Sequence, residues 1–254
     1  SYILKVDTRG IVTKLVDASW MSYYHGYMAI DSRNNLYYPA NVQWGGGGAY
    51  VGCIKKVTPQ GLLSTVVGSC ESGGTDLHFS GVALDKQGNI YAVEHYKQQV
   101  LKQDPSGFLT AVAGNGTRGH QGDGDSSLQA QLYNPKNICV DDAGNLYIAT
   151  YERVRKVDTA GIITTVAGGG TYDTLGDRGP STLAYFRDIE AVTTDAEGNL
   201  YIADGFRRSV RKVDTNGIIS TVAGNRDNGC GYTGDGVPAT DACLLDPYDI
   251  AVDN

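Results

Sequence analysis

One position in a repeating sequence carries polar side chains that could together hold a ligand. An aspartate recurs at Asp31, Asp85, Asp141, Asp195 and Asp253. The residues seven positions before these aspartates are Tyr24, His78, Asn134, Asp188 and Asp246. Because all five occupy the same place in successive copies of a repeat, we expect them to form a ring around one axis. The ring is polar and largely acidic, so it is the convergent set from which a binding site is predicted.

Residues near the ring in sequence extend it into a predicted ligand-binding set, together with one aromatic residue of a glycine-rich insertion. The set is Tyr24, His25, Tyr27, His78, Asn134, Lys136, Asp188, Glu190, Asp246, Tyr248 and, from the insertion, Trp44. Aromatic faces stack well on sugars and on other side chains. The set therefore predicts a site for a protein, peptide or glycan partner.

Other interpretations of the ring stay open at this point. Oxygen ligands from Asn134, Asp188 and Asp246 would suit Ca²⁺. His25 and His78 could contribute to a transition-metal site, although such a site needs further ligands. The polar residues could also simply line a channel filled with water. The sequence contains no nucleophile elbow, phosphate loop or HExxH motif, so we predict no catalytic residue.

The elements that must position these residues are short β-strands. The stretch 136–168 contains four β-branched or aromatic segments that are separated by turns such as Asp158-Thr159-Ala160-Gly161. The second-strand tyrosine recurs as Tyr37, Tyr91, Tyr147 and Tyr201, at spacings of 54, 56 and 54 residues. Repeats of this length with four strands predict an all-β fold, a β-propeller of four-stranded antiparallel blades. We expect Glu94, Thr150 and Asp204, at the ends of second strands, to face the same mouth as the ring.

The repeat predicts five to six blades, of which four are complete in this chain. The complete blades are expected at about 28–67, 81–113, 137–167 and 191–223, and partial blade strands at 1–16 and 249–253. We interpret residues 1–254 as one propeller domain. Because one second strand is missing from the repeat, we expect the sequence to be part of a longer, secreted protein. The third-strand basic residues, including Arg155 and Arg211, are interpreted as a solvated outer edge.

The repeated letters resemble a known family. The pattern P-x-x-I-x-V-D-x-x-G-N-L-Y-I-A-D, followed by R-K-V-D-x-x-G-I-I-x-T-V-A-G, is similar to the NHL repeats of β-propellers. A G-D-G-x-P-A-T motif that is typical of bacterial and extracellular members stands at 234–240, with weaker copies at 176–182 and 122–127. The resemblance implies the propeller fold, whereas the Gly-Asp-Gly segments themselves are interpreted as turn and cap chemistry. This fold hosts binders and enzymes alike, including calcium-dependent lactonases and lyases.

Charge and composition narrow the class of partner. The 254 residues carry a net charge of −7, which argues against a nucleic-acid partner because phosphate binding needs a basic face. No apolar run is long enough to span a bilayer, so we expect no membrane insertion by this segment.

The cysteines indicate an oxidising compartment. We predict two disulfides, Cys53–Cys70 and Cys230–Cys243, and place Cys139 in a strand as a small core residue. Disulfides of this kind favour an extracellular, periplasmic or cell-surface location. The function that we predict is an extracellular binding or scaffold module that presents loops to a protein, peptide or glycan. The alternative is a propeller lyase or lactonase-like hydrolase with a metal ion at the channel mouth, for which calcium is the candidate.

Overall fold

The computed structural model describes residues 2–6, 9–17, 27–43, 50–71, 76–171, 175–224 and 235–253. Within these ranges the chain forms 18 strands and a single 3-10 turn at Ser181–Leu183. The strands are β1 (Tyr2–Val6), β2 (Val12–Asp17), β3 (Ala29–Ile30), β4 (Leu36–Gln43), β5 (Tyr50–Val57), β6 (Leu63–Gly68), β7 (Phe79–Leu84), β8 (Ile90–Glu94), β9 (Gln99–Gln103), β10 (Leu109–Ala113), β11 (Asn137–Val140), β12 (Leu146–Ala149), β13 (Arg153–Val157), β14 (Ile163–Gly168), β15 (Ile189–Thr194), β16 (Leu200–Asp204), β17 (Ser209–Val213) and β18 (Ile219–Ala223). None of the described residues belongs to a helix long and apolar enough to cross a membrane.

The strands form four antiparallel four-stranded sheets and one two-stranded hairpin. Blade I is β3–β6, blade II is β7–β10, blade III is β11–β14 and blade IV is β15–β18, and β1 pairs with β2. The first strands contact one another in sequence, β3 with β7, β7 with β11 and β11 with β15. Each fourth strand lies at the opposite edge of its sheet. The predicted fold class is confirmed: these are propeller blades with first strands inside and fourth strands outside.

Apolar residues fill the spaces between neighbouring blades. One cluster joins Val93 and Val100 of blade II to Ile148 and Ile163 of blade III. The next joins Val154 of blade III to Ile202 of blade IV. A blade buries its two faces only against its neighbours, and this burial is the main stabilising contribution to the ring, at roughly 25 cal/mol for each Å² of apolar surface.

The recurring Asp, Asn and Tyr residues form the turn between the first and second strands of each blade. In blade II, Asp85 Oδ1 accepts hydrogen bonds from the backbone N–H of Gln87 (3.0 Å) and Asn89 (2.8 Å). Its Oδ2 accepts from the Tyr91 hydroxyl at 3.1 Å, and Lys102 Nζ lies 5.5 Å from the centre of that ring. Asp31, Asp141 and Asp195 make the same bonds to their tyrosines. The constant spacing of these residues in successive repeats is therefore explained by the hydrogen bonds of the turn.

Two third-strand arginines lie in the interior, which corrects the solvated-edge interpretation. The Arg155 side chain is 1% exposed and that of Arg211 is 0% exposed. Arg155 Nη2 lies 2.8 Å from Asp123 Oδ1, and Arg211 Nη2 lies 2.7 Å from Asp177 Oδ1. Both aspartates belong to the Gly-Asp motifs, so these motifs supply counter-ions as well as turns. A buried guanidinium needs such a partner, because an unpaired charge in the interior is strongly destabilising.

Residues 249–253, expected to be a strand, form none in the structure. A strand needs a hydrogen-bonding neighbour, and in the described residues β1 and β2 pair only with each other. Ile250 packs instead against Tyr27, Ala191 and Ala203 near the centre of the molecule.

The Cys53–Cys70 disulfide is present, with the two Cα atoms 5.4 Å apart. It joins β5 to the residue that follows β6 by two positions. Cys139 is partly buried in β11, and burial raises the pKa of its thiol. Cys243 is buried, whereas Cys230 lies outside the described residues, so the second disulfide stays a prediction.

Candidate functional site

Four of the predicted site residues meet where the inner strands begin. Lys136 precedes β11, Asp188 precedes β15, Glu190 lies in β15 and Tyr27 precedes β3. Lys136 Nζ lies 2.6 Å from Asp188 Oδ1 and 2.8 Å from Glu190 Oε1. The Tyr27 hydroxyl donates to Glu190 Oε2 at 2.7 Å. We call Tyr27, Lys136, Asp188 and Glu190 the mouth cluster; it connects the inner strands of three blades across the centre of the propeller.

Two members of the mouth cluster, Lys136 and Tyr27, have fixed protonation states near neutral pH. Burial alone would lower the pKa of Lys136, but the hydrogen bonds to Asp188 and Glu190 outweigh burial and raise it. Burial and the negative charge of Glu190 raise the pKa of Tyr27 far above its usual range. Lys136 therefore stays an ammonium and Tyr27 a neutral hydroxyl near neutral pH. Such a cluster suits a rigid support for a surface better than proton transfer.

A pocket of about 410 Å³ opens beside the mouth cluster. Its acidic wall contains three of the predicted residues, Asp188, Glu190 and Asp246, and Tyr248 lies next to them. The remaining lining residues are Tyr151, Arg187, Gly205, Phe206 and Pro247. Pro247 and Tyr248 follow Asp246 directly, so the C-terminal part of the chain closes one side of this pocket.

Arginine and aromatic side chains, of which Tyr151, Arg187 and Phe206 line the pocket, form a connected group that sequence reasoning missed. Arg187 lies over the Phe206 ring at 5.0 Å from its centre, and Arg207 lies over Tyr185 at 5.8 Å. On the other side Arg118 lies over Tyr133 at 4.4 Å, and Tyr133 meets Tyr151 edge-on at 5.4 Å. We call these residues the arginine–aromatic face: Arg118, Tyr133, Tyr151, Tyr185, Arg187, Phe206 and Arg207. All seven lie in loops, where the strand pattern requires neither an aromatic residue nor an arginine. Their position outside the strands is the signal that could have identified them.

His78 is buried in the structure. Its ring centre is 4.5 Å from that of Tyr96 and 6.3 Å from that of His95. Burial, assisted by the nearby His95, lowers the pKa of His78 to about 4, so the ring is neutral at physiological pH. This makes His78 a packed interior group in the described part of the chain.

The residues at the ends of the second strands are buried and cap turns, and that they face the mouth stays a prediction. All three, Glu94, Thr150 and Asp204, are buried. Glu94 accepts hydrogen bonds from the backbone N–H of His78 and Lys97. The Thr150 hydroxyl donates to the Arg153 carbonyl at 2.7 Å, and Asp204 Oδ1 accepts from the Arg207 N–H at 3.0 Å. The turn between the second and third strands needs a side-chain hydrogen-bond acceptor or donor at this position, which explains why Glu94, Thr150 and Asp204 are polar.

The predicted calcium ligands are only partly brought together. Asp188 and Asp246 line the same pocket, but Asn134 is not among its lining residues. Asn134 has a φ of 47°, and its N–H donates to Gln98 Oε1 at 2.8 Å. Asp188 is already neutralised by Lys136. Among the residues that the structure describes, no group of three His, Cys, Asp or Glu side chains is placed to hold a metal ion. The calcium site therefore stays a prediction, and Tyr24, His25 and Trp44 lie outside the described residues.

Comparisons with known proteins agree with the repeat. A family model described as the Teneurin NHL domain matches residues 26–174. Human Teneurin-1 is 29% identical over 153 residues, which cover 53% of this chain and 6% of that protein. The chain spans less than a tenth of the length of the curated relatives that it matches.

Solved structures share the fold at low sequence identity. An auxiliary nutrient binding protein from Bacteroides ovatus aligns with a TM-score of 0.67 and 15% identity, over 98% of this chain and 58% of that one. The virginiamycin B lyase of Staphylococcus aureus aligns with a TM-score of 0.54 and 14% identity, over 87% of this chain and 62% of that one. At these identities the likeness concerns the fold alone.

Proposed function

Because the chain belongs to the Teneurin NHL domain family, we propose that it is an extracellular binding module whose arginine–aromatic face holds a protein partner. The observation that carries this proposal is a connected group of three arginines over three aromatic rings, of which Arg187 and Phe206 line an acidic pocket of about 410 Å³. Aromatic residues and arginine are enriched in protein interfaces and supply most of their hot spots.

The charges of this face favour a polypeptide over a small ligand. Arg187 is exposed while the neighbouring Asp188 and Glu190 are partly buried in the same pocket. The site thus offers cations at its rim and carboxylates at its base, which suits a partner with both signs of charge. An arginine that already lies over an aromatic ring has less conformational entropy to lose on binding than one that does not.

Further support comes from the disulfide and from the solved relatives. The Cys53–Cys70 bond fits an oxidising compartment outside the cell. A similar propeller is named a nutrient binding protein. A lyase shares the fold, but here Asp204 and His78 are buried and Lys136 is engaged by two carboxylates. An enzymatic function is therefore the less supported alternative.

The test is a displayed library of random 12-residue peptides, selected on the purified protein, run beside a glycan array. We expect peptides to be enriched, and the double variant Arg187→Ala/Phe206→Ala to bind the best of them at least tenfold more weakly. The control is Lys86→Ala, which removes an exposed lysine of the turn at Asp85. Glycan binding that the double variant loses, with no peptide enriched, would overturn the proposal, as would equal binding by both variants.

A further inference from the structure

The outer edges of blades III and IV are covered by the chain itself. Ahead of each blade a short crossing segment, residues 122–127 or 176–181, runs along the fourth strand. In blade III the Ile163 N–H donates to the Asp125 carbonyl at 3.0 Å, and the Gly124 N–H donates to the Ile163 carbonyl at 2.8 Å. In blade IV, Ile219 makes the same two bonds, with Gly179 and Arg178. Each crossing segment thus forms a short antiparallel bridge on the outermost strand, with a positive φ at Gly124 or Arg178, and the isoleucine beneath it is fully buried.

Among the described residues, which omit 18–26 and 72–75 ahead of blades I and II, no crossing segment pairs with the outer edge at Leu63 or Leu109. Leu63 of β6 and Leu109 of β10 occupy the position of Ile163, because each pairs with the last residue of the third strand. Leu63 is 51% exposed and the preceding Leu62 is 69% exposed. Neither β6 nor β10 contains a charge or a proline, the usual devices that block pairing at an edge. Strands β6 and β10 therefore resemble the covered strands β14 and β18 in amino-acid composition.

Blade I has a lysine, Lys55, at the third-strand position that Arg155 and Arg211 occupy in blades III and IV. Arg155 and Arg211 each pair across the sheet with a threonine, and each follows directly on a register shift. Lys55 follows the same register shift in β5 and pairs with Thr65. Its ammonium donates to Thr65 Oγ1 at 2.6 Å, and no carboxylate among the described residues forms an ion pair with it. In blade II the same position is Leu101, which carries no charge.

We propose that strand β6 is a docking edge for a short segment of another polypeptide that carries an aspartate. The backbone of that segment would hydrogen-bond to Leu63 as residues 124–127 do to Ile163. Its carboxylate would form an ion pair with Lys55, as Asp123 does with Arg155. The partner chemistry is thus a Gly-Asp-x-x-(Ser/Pro)-Ser stretch that forms the same short antiparallel bridge as residues 122–127 and 176–181. Burial of Leu63 beneath it would supply the apolar contribution.

The probe is a synthetic peptide with the sequence of residues 175–184, compared with the same peptide in which Asp177 is replaced by Asn. Binding to the whole protein is followed by fluorescence anisotropy, and its location by hydrogen exchange. We expect the aspartate peptide to bind and to slow exchange at residues 63–66. The asparagine peptide should bind about threefold to tenfold more weakly.

Two matched lysine variants test the charge. Lys55→Met should remove the difference between the two peptides, whereas Lys56→Met, which removes the same charge from the opposite face of β5, should preserve it. Leu63→Pro removes the outward N–H and should abolish binding; a thermal melt of each variant checks that it is folded.

Three results would overturn the proposal: no binding at millimolar peptide, protection that excludes residues 63–66, or equal loss of the peptide difference in the two lysine variants. Protection confined to the arginine–aromatic face counts as the second of these.

Discussion

Lys136 is the residue on which the mouth cluster depends, because its ammonium forms ion pairs with both Asp188 and Glu190. We predict that Lys136→Met destabilises the protein by about 1–3 kcal/mol, since it leaves two carboxylates without a counter-ion. The upper limit of 5 kcal/mol for buried pairs is reduced because Asp188 is partly exposed. Chemical denaturation measures the change in the free energy of unfolding.

Lys86→Met is the control for Lys136→Met, because it removes a lysine from an exposed ion pair. Lys86→Met breaks the surface ion pair with Asp142, whose side chains are both largely exposed, and should cost less than about 0.5 kcal/mol. If the two methionine variants were equally stable, the mouth cluster would contribute no more than a surface pair.

Asp204 should give the protein a pH dependence of its own. Burial raises the pKa of Asp204 to about 6, although the Arg207 N–H and the nearby arginines oppose the shift. Below about pH 4 the carboxyl is protonated in both the folded and the unfolded states. Between pH 4 and 6 the unfolded state ionises first, so the folded state loses stability as the pH rises.

We therefore predict that Asp204→Asn, compared with wild type, gains about 2–3 kcal/mol in unfolding free energy between pH 4 and pH 7.5. Denaturation series at several pH values measure this difference. Asp142→Asn, at an exposed site, should follow the wild-type curve. A constant offset between Asp204→Asn and wild type would contradict the raised pKa.

The sequence could locate the mouth cluster but could not predict its bonds. Repeat spacing decides which residues precede each inner strand, so Lys136, Asp188 and Glu190 were predictable as neighbours. The pairing depends on side chains from blades 52 residues apart reaching one point, and no local pattern encodes that distance. His78 shows the same limit, because a histidine in a ring position gives no sign that it will be buried.

At the scale of elements, the crossing segments are held by ion pairs that reach into the blades. Asp123→Ala leaves the guanidinium of Arg155 buried without its carboxylate, and we predict a loss of about 2–4 kcal/mol. The amide of Ile163 should also exchange faster, because the segment that accepts its hydrogen bond is released. Guanidinium denaturation and hydrogen exchange measure the two effects.

Asp125→Ala is the control within the same crossing segment. Asp125 uses its backbone carbonyl to bind Ile163, and alanine preserves that carbonyl. The double variant Asp123→Ala/Arg155→Met should recover part of the loss, since it removes the uncompensated charge as well. No recovery would show that the aspartate acts through something other than Arg155.

The elements themselves were predictable because each strand is bounded by turn residues with defined roles. Asp85, Asn89 and Tyr91 fix one hairpin through a few hydrogen bonds, and four copies of that hairpin recur with little change. The buried arginines were not predictable, because Arg155 alternates with its neighbours as a solvent-facing residue would. Its partner lies 32 residues earlier, in a segment that was expected to be a turn.

Across the whole molecule, the outer rim has two halves with different protection. The outward N–H of Ile163 and of Ile219 is bonded to a crossing segment, whereas no residue that the structure describes bonds to the outward N–H of Leu63 or Leu109, and both side chains are exposed. We predict that the amides of Ile163 and Ile219 exchange at least tenfold more slowly than those of Leu63 and Leu109. Native-state hydrogen exchange with peptide-level or residue-level resolution measures these rates, and equal rates at all four sites would contradict the asymmetry.

The covered edges also decide what counts as one transferable unit of this protein. The Ser127 hydroxyl donates to the Val112 carbonyl of blade II while the backbone around it pairs with blade III, and Ser181 repeats this between blades III and IV. A graft that moved only residues 137–168 into another propeller would leave behind the stretch that shields its outer strand and the carboxylate that neutralises Arg155. The smallest module that an engineer could move intact runs from Gly122 to Gly168, so the boundaries of exchange between such proteins should fall before the crossing segment and not at the first strand.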